Sequence, residues 1–140
     1  LTKTKFQRTW LHFITSILPK MRLRNRINAE DLSRDLAYVK SYERAVYNDK
    51  KIPASLALDI YRNGKYAMTN IDKLDIPVLL MHGTSNRVTP TSVSKAIAEK
   101  AGNMVNILLW ENGYHELHND IQKELVIRKM INWLKKEIKS

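Results

Sequence analysis

Two short polar stretches carry side chains that could do chemistry together. The first, Thr84 to Thr89, follows the apolar run Val78-Leu79-Leu80-Met81 and contains Asn86; the second, Glu111 to His118, follows Val105 to Trp110 and presents His115. An imidazole is the side chain best matched to proton transfer near neutral pH, provided a further group fixes which ring nitrogen holds the proton. Taken alone, a loop histidine beside Tyr114 is more often structural or solvent-exposed than catalytic. His82, at the end of an apolar run and just before Gly83, is expected to be packed and hydrogen-bonded. His118 follows His115 by three residues, a spacing that shares a helix face, but with no cysteine and no clear third ligand a metal site is not indicated.

These loops need elements to hold them. Val78 to Met81 is a short continuous apolar run of the kind buried on both faces of a parallel sheet, with Pro77 at its start where a missing donor is tolerated. Thr91 to Ala101 reads as a helix closed by Gly102, and Val105 to Trp110 as a second strand. Asn119 or Asp120 is placed to cap a last helix with the stripe Ile127, Ile131, Leu134 and Ile138. The order from residue 71 is β-α-β-α, which calls for a parallel sheet, and loops at the carboxyl ends of neighbouring parallel strands share one rim. Asn86 and His115 can therefore face each other.

The front of the chain reads as helical. Phe6, Trp10, Ile14, Ile17 and Leu18 recur at helical spacing over residues 4–18 before Pro19. Lys20 to Asn28 reads as an irregular connection. Asp31 or Ser33 is placed to cap a helix through Leu36, Val39, Tyr42 and Val46 that ends near Asn48 to Lys51. Pro53 opens another, with Leu56, Ile60 and Ala67 on one face and a stop near Asn70.

The 140 residues suit about one domain, and 44% apolar residues suffice for a core. The net charge of +10 comes from 24 basic and 14 acidic residues, and nearly all of the excess lies in residues 1–70. Lys3, Lys5, Arg8, Lys20, Arg22, Arg24 and Arg26 all precede the first acid, Glu30. Such a run can meet phosphates or anionic head groups, but without a recognition motif it reads first as a solvated basic face, and a nucleic-acid-binding domain is the weakest of the functional classes. The absence of cysteine excludes a disulfide framework and thiolate metal ligation. No apolar run reaches the roughly twenty residues needed to span a bilayer, so a cytoplasmic location, with possible peripheral membrane association, is the default. A start at Leu1 within helix-like sequence reads as a fragment or a processed product.

Ile76-Pro-Val-Leu-Leu-Met-His-Gly-Thr-Ser-Asn-Arg-Val-Thr-Pro90, followed by Gly113-Tyr-His-Glu-Leu-His-Asn-Asp120 and a closing helix with Trp133-Leu134, resembles the C-terminal half of an α/β-hydrolase. The similarity is to the monoacylglycerol lipase and lysophospholipase group of S33-type serine hydrolases. It implies an α/β fold in which residues 71–140 form the C-terminal part of the core and residues 1–70 a helical cap or lid segment with its return helix. It also implies that His115 is the triad histidine and that residue 86 holds the acid position, where aspartate is expected and Asn86 stands. No cofactor and no metal are implied.

Two departures bear on activity. The resemblance calls for a serine in a G-x-S-x-G elbow, yet Gly64, Gly83, Gly102 and Gly113 do not pair around a serine, and the oxyanion donors that accompany the elbow are also missing. An amide at position 86 can hydrogen-bond an imidazole but cannot stabilise an imidazolium by charge. An engineered change, natural loss of the acid and a replacement acid from another strand all remain open; neither Glu116 nor Asp120 is nominated. The expectation is thus part of a serine hydrolase of lipid-like carboxylic esters, inactive by itself, whose partner is an N-terminal half bearing the nucleophile. The cap stripe Trp10, Ile14, Ile17 and Leu18 would shelter an acyl chain or pack against that half. The alternative is a hydrolase-like interaction module without chemistry.

Overall fold

The structure is a computed structural model that describes residues 21–24, 27–45 and 51–138. In chain order the elements are β1 (Arg22–Arg24), α1 (Leu36–Arg44), β2 (Lys51–Pro53), α2 (Ala54–Thr69), β3 (Val78–Gly83), α3 (Thr91–Ala101), β4 (Val105–Trp110) and α4 (Lys123–Glu137), with 3-10 turns between several of them. The expected helix over 4–18 and its cap stripe lie outside the described residues.

The chain forms two compact units, one of Leu1–Arg26 with Val46–Asn70 and one of Ile27–Ala45 with Ile71–Ser140. By packing, residues 27–45 group with the segment from Ile71 onward. Hydrogen bonds over long sequence separations hold them there: Glu116 N donates to Leu32 O at 2.8 Å and Ser33 Oγ to Asn119 O at 2.9 Å.

In the first unit Arg22–Arg24, within the stretch expected to be irregular, forms a strand. β1 pairs antiparallel with β2, Leu23 opposite Ile52, and Ala54 N donates to Met21 O at 2.8 Å. Pro53 precedes α2 as expected, and Asn70 closes it. The buried face differs from the expected one: Ala54 and Leu58 pack with Met21 and Leu23, whereas Leu56, Ile60 and Ala67 are exposed. Helical spacing shows that a face exists, but the short β1–β2 ribbon decides which face is covered.

In the second unit β3 and β4 pair in parallel, from Val78 opposite Val105 to Gly83 opposite Trp110, with α3 as the connection. This is the β-α-β-α order expected from residue 71. Both strands and α3 begin and end where the sequence places them, apart from two further residues on β3. α1 starts later than expected. Asp35, rather than Asp31 or Ser33, is its N-cap and accepts from Ala37 N and Tyr38 N at 3.0 and 3.3 Å. The Ser33 hydroxyl instead accepts from Asp35 N at 2.9 Å, and the helix ends at Arg44.

α4 also starts later, after Gln122, because Leu117–Asn119 forms a 3-10 turn and the Asp120 carboxylate is engaged elsewhere. Its buried position is Val126, which joins Trp110 and Leu117 in a core with Met81 and Leu108 around it. Complete burial of a valine of this kind contributes about 2 kcal/mol. The expected stripe Ile127, Ile131, Leu134 and Ile138 is exposed instead, Ile138 at 82%. Among the described residues no helix is long and apolar enough to cross a membrane.

Candidate active site

The loops after β3 and β4 meet because two glycines let their backbones approach. A Cβ on Gly83 would overlap the Gly113 carbonyl and the Tyr114 oxygen, all backbone atoms. The approach is fastened by Thr84 N to Trp110 O at 2.9 Å, Ser85 N to Gly113 O at 3.0 Å and Asn112 N to Thr84 Oγ1 at 2.8 Å. Asn112 itself adopts φ 56°, a left-handed conformation that asparagine accepts more readily than most residues.

This approach brings together the two residues singled out from the sequence. Asn86 Nδ2 lies 3.1 Å from His115 Nδ1. The orientation of the amide is decided by its other end, since Oδ1 accepts from Val88 N at 2.9 Å and Thr89 N at 3.1 Å, and only an oxygen can do so. The NH2 group must then face His115.

Hydrogen counting settles the rest. Asn86 Nδ2 has two hydrogens and three neighbours: Thr89 Oγ1 at 3.0 Å, His115 Nδ1 at 3.1 Å and His82 Nε2 at 3.2 Å. His82 Nε2 also lies 3.2 Å from the Thr89 carbonyl, which can only accept. His82 therefore carries its proton on Nε2 and donates it to that carbonyl, while Nδ1, 2.7 Å from Ser94 Oγ, accepts from the hydroxyl. The amide is left with one hydrogen for Thr89 Oγ1 and one for His115 Nδ1. His82 thus has the packed, hydrogen-bonded place expected of it, only 8% exposed.

The consequence falls on His115. With Nδ1 accepting, its ring proton sits on Nε2, the nitrogen that a general base would need free. An aspartate would offer the same Oδ1 to Val88 N and Thr89 N and a second oxygen able to accept from Nδ1–H, which reverses the tautomer.

Three features near the site were not nominated from sequence. Asp120, 1% exposed, accepts from Arg34 N at 2.8 Å, Arg34 Nε at 2.9 Å, Ile121 N at 2.9 Å and Tyr114 N at 3.4 Å. Burial pushes its carboxyl up, but the Arg34 side chain and these amides outweigh burial and leave it below the usual carboxylate range. Glu116 accepts from Tyr38 Oη at 2.6 Å and Asn119 Nδ2 at 2.7 Å. Burial first, then the Glu116 carboxylate, pushes the Tyr38 phenol up to about 12. Arg87 stands over the Tyr114 ring at 5.1 Å, with Arg34 near the same ring at 6.0 Å. Glu116 and Asp120 are visible beside His115 in sequence, but their partners lie 78 and 86 residues away. Among the described residues no group of three or more His, Asp or Glu comes together to hold a metal ion.

An open apolar groove of about 460 Å³ runs beside His115, lined by Val78, Leu79 and Met81 of β3 and by Val126, Met130 and Trp133 of α4.

A parallel β-α-β-α unit with polar loops meeting at one rim is the arrangement of the C-terminal part of an α/β-hydrolase core. The chain belongs to the serine aminopeptidase S33 family of these hydrolases, whose profile matches residues 2–122. It is 25% identical over 131 residues to an uncharacterised abhydrolase domain-containing protein of Dictyostelium discoideum, covering 92% of this chain and 14% of that one. It is 26% identical over 110 residues to a monoacylglycerol lipase of Mycolicibacterium smegmatis, covering 77% and 39%. The crystal structure of Paleococcus ferrophilus monoacylglycerol lipase superposes with a TM-score of 0.87 and 25% identity over 96% of this chain and 53% of that one. The chain thus spans well under half the length of these curated relatives and about half of the solved structure.

Proposed function

We propose that this chain supplies the histidine and the acid position of a serine hydrolase acting on carboxylic esters of lipid-like substrates, a monoacylglycerol or a lysophospholipid, and that it is inactive by itself. The observation that carries the reading is the 3.1 Å contact of Asn86 Nδ2 with His115 Nδ1 on loops that follow adjacent parallel strands. The lipase names of two similar proteins support the substrate class. An N-terminal half bearing the serine elbow and oxyanion donors is the partner that the reaction requires. His115 Nε2 would take the serine Oγ proton as the oxygen attacks the ester carbonyl, then return it to the departing alcohol. Residue 86 would orient the ring through Nδ1. Contact with a membrane surface, where such substrates reside, belongs to the same proposal.

The tautomer set by Asn86 favours a second reading, a hydrolase-like interaction module without chemistry. One experiment separates the two. In a protein that joins this chain to a family N-terminal half carrying the serine, Asn86→Asp is expected to raise turnover of a short-chain p-nitrophenyl ester by up to about ten thousandfold, the cost of the reverse change in a serine protease. His115→Ala in the same background should abolish the gain. No gain from Asn86→Asp supports the non-catalytic module.

A further inference from the structure

His115 is held on two sides. Toward the β3 loop it meets Asn86; toward the opposite side, both residues flanking it are tied down. Tyr114 N donates to Asp120 Oδ2 at 3.4 Å, and Glu116 N donates to Leu32 O at 2.8 Å. The peptide units on either side of His115 are thereby anchored, one to a carboxylate and one to a carbonyl from a distant part of the chain.

Those anchors converge on one segment, Leu32 to Tyr38. Ser33 Oγ donates to Asn119 O, Arg34 places its amide on Asp120 Oδ1 and its Nε on Asp120 Oδ2, and the Tyr38 hydroxyl donates to Glu116 Oε2. Three of these bonds, all but that of Ser33, end on a carboxylate and are charge-assisted, the class that holds geometry most firmly. The segment is itself stiffened, since Ser33 Oγ accepts from Asp35 N and Asp35 caps α1. A surface loop of this size would otherwise be among the more mobile parts of a fold.

We propose that Glu116 and Asp120 are positioning residues for His115, and that residues Leu32–Tyr38 form a clamp that sets the ring against residue 86. The clamp acts through backbone anchors and touches neither the imidazole nor the reacting atoms. It rests on the reading of His115 as the base of a hydrolase for its functional meaning, but its physical content is the fixing of one ring, which can be read without any reaction.

The test follows the two ring nitrogens of His115 by long-range 1H–15N NMR in the full chain, with buried His82 as internal control. The expected wild-type spectrum has two well-separated His115 resonances, Nε2 protonated and Nδ1 bare. Glu116→Ala should draw them toward a common averaged position, and Glu116→Gln, which keeps an oxygen for the Tyr38 hydroxyl, should restore the separation. Tyr38→Phe should give a smaller collapse, and it carries the test if Glu116→Ala does not fold. The His82 resonances should stay where they are. A His115 spectrum unmoved by Glu116→Ala and Tyr38→Phe, or His82 moving in parallel with it, would overturn the clamp. An Asn86→Asp enzyme without esterase activity alongside a collapsing His115 spectrum defeats the functional reading and leaves the clamp standing; an active one with an unmoved ring does the reverse.

Discussion

Asp120 gathers an arginine and three backbone amides while almost fully buried, so its charge is built into the folded state. These partners outweigh burial and hold its carboxyl below the usual carboxylate range. In acid the unfolded chain therefore takes up this proton more readily than the folded one. The stability due to Asp120 is present in full above about pH 4 and is lost as pH falls through the folded value. Asp35, lowered by its Lys123 partner at 3.1 Å, acts in the same direction. Tyr38 works at the other end: its stabilisation is present below pH 10 and is lost as pH rises toward about 12. Asp120→Asn should cost about 2 kcal/mol at neutral pH, less than the removal of one partner from a fully buried pair because Arg34 is partly exposed. Urea unfolding at pH 7 and pH 3 should show the gap between wild type and variant narrowing in acid, and an equal gap at both values would refute the linkage. At this scale the sequence singled out His115 and Asn86 by residue type and loop position, and the fold brings the two within 3.1 Å. The sequence was silent where a role comes from a partner, since nothing within Glu116 or Asp120 points to residues 34 and 38.

The β3 and β4 loops depend on an approach that only two glycines allow, so the element-scale prediction pairs two substitutions of the same kind. Gly83→Ala drives a methyl into the backbone of Gly113 and Tyr114, which cannot swing aside as a side chain would. The loss should be at least about 3 kcal/mol, at the upper end for overpacking. Gly64→Ala, inside α2 with open space around the added carbon, should instead stabilise by about 1 kcal/mol through helix propensity. Denaturant melts of the two variants check both signs, and a tolerated Gly83→Ala would mean that the loops are not held by this contact. The same division marks what could be read in advance at this scale. β3, α3 and β4 were legible because a continuous apolar run, a helical period and a terminating glycine are local signals. The starts of α1 and α4 were not, because Ser33 and Asp120 are good caps by type and spend their oxygens elsewhere. The buried faces of α2 and α4 were missed for a related reason: periodicity gives a stripe, and only the surface packed against it says whether the stripe is covered.

Over the whole molecule, the exposed stripe of α4 and the groove beside β3 lie in the same unit. Ile127, Met130, Ile131 and Leu134 are each more than 40% exposed, and among the described residues β3 has a strand partner only in β4. Aliphatic side chains left half in water each forgo about 1 kcal/mol of burial, so a complementary surface has several kcal/mol available on this face. An unpaired strand edge adds hydrogen-bonding groups in search of a partner. The proposed occupant is the N-terminal half of the hydrolase, consistent with a chain that spans 53% of a structural relative. Without it, this chain should associate with itself at micromolar concentrations despite a net charge of +10, and light scattering after size exclusion should show a mass rising with loading. Ile131→Lys together with Leu134→Lys should shift the population toward monomer, because a buried ammonium at a self-association surface costs more than the apolar contact it replaces. The same pair should also weaken a complex with a co-expressed N-terminal half, which ties the two forms of association to one face. A chain that stays monomeric at every loading, or a double variant that still binds the N-terminal half as tightly as wild type, would show that the apolar stripe is not the surface on which the hydrolase is completed.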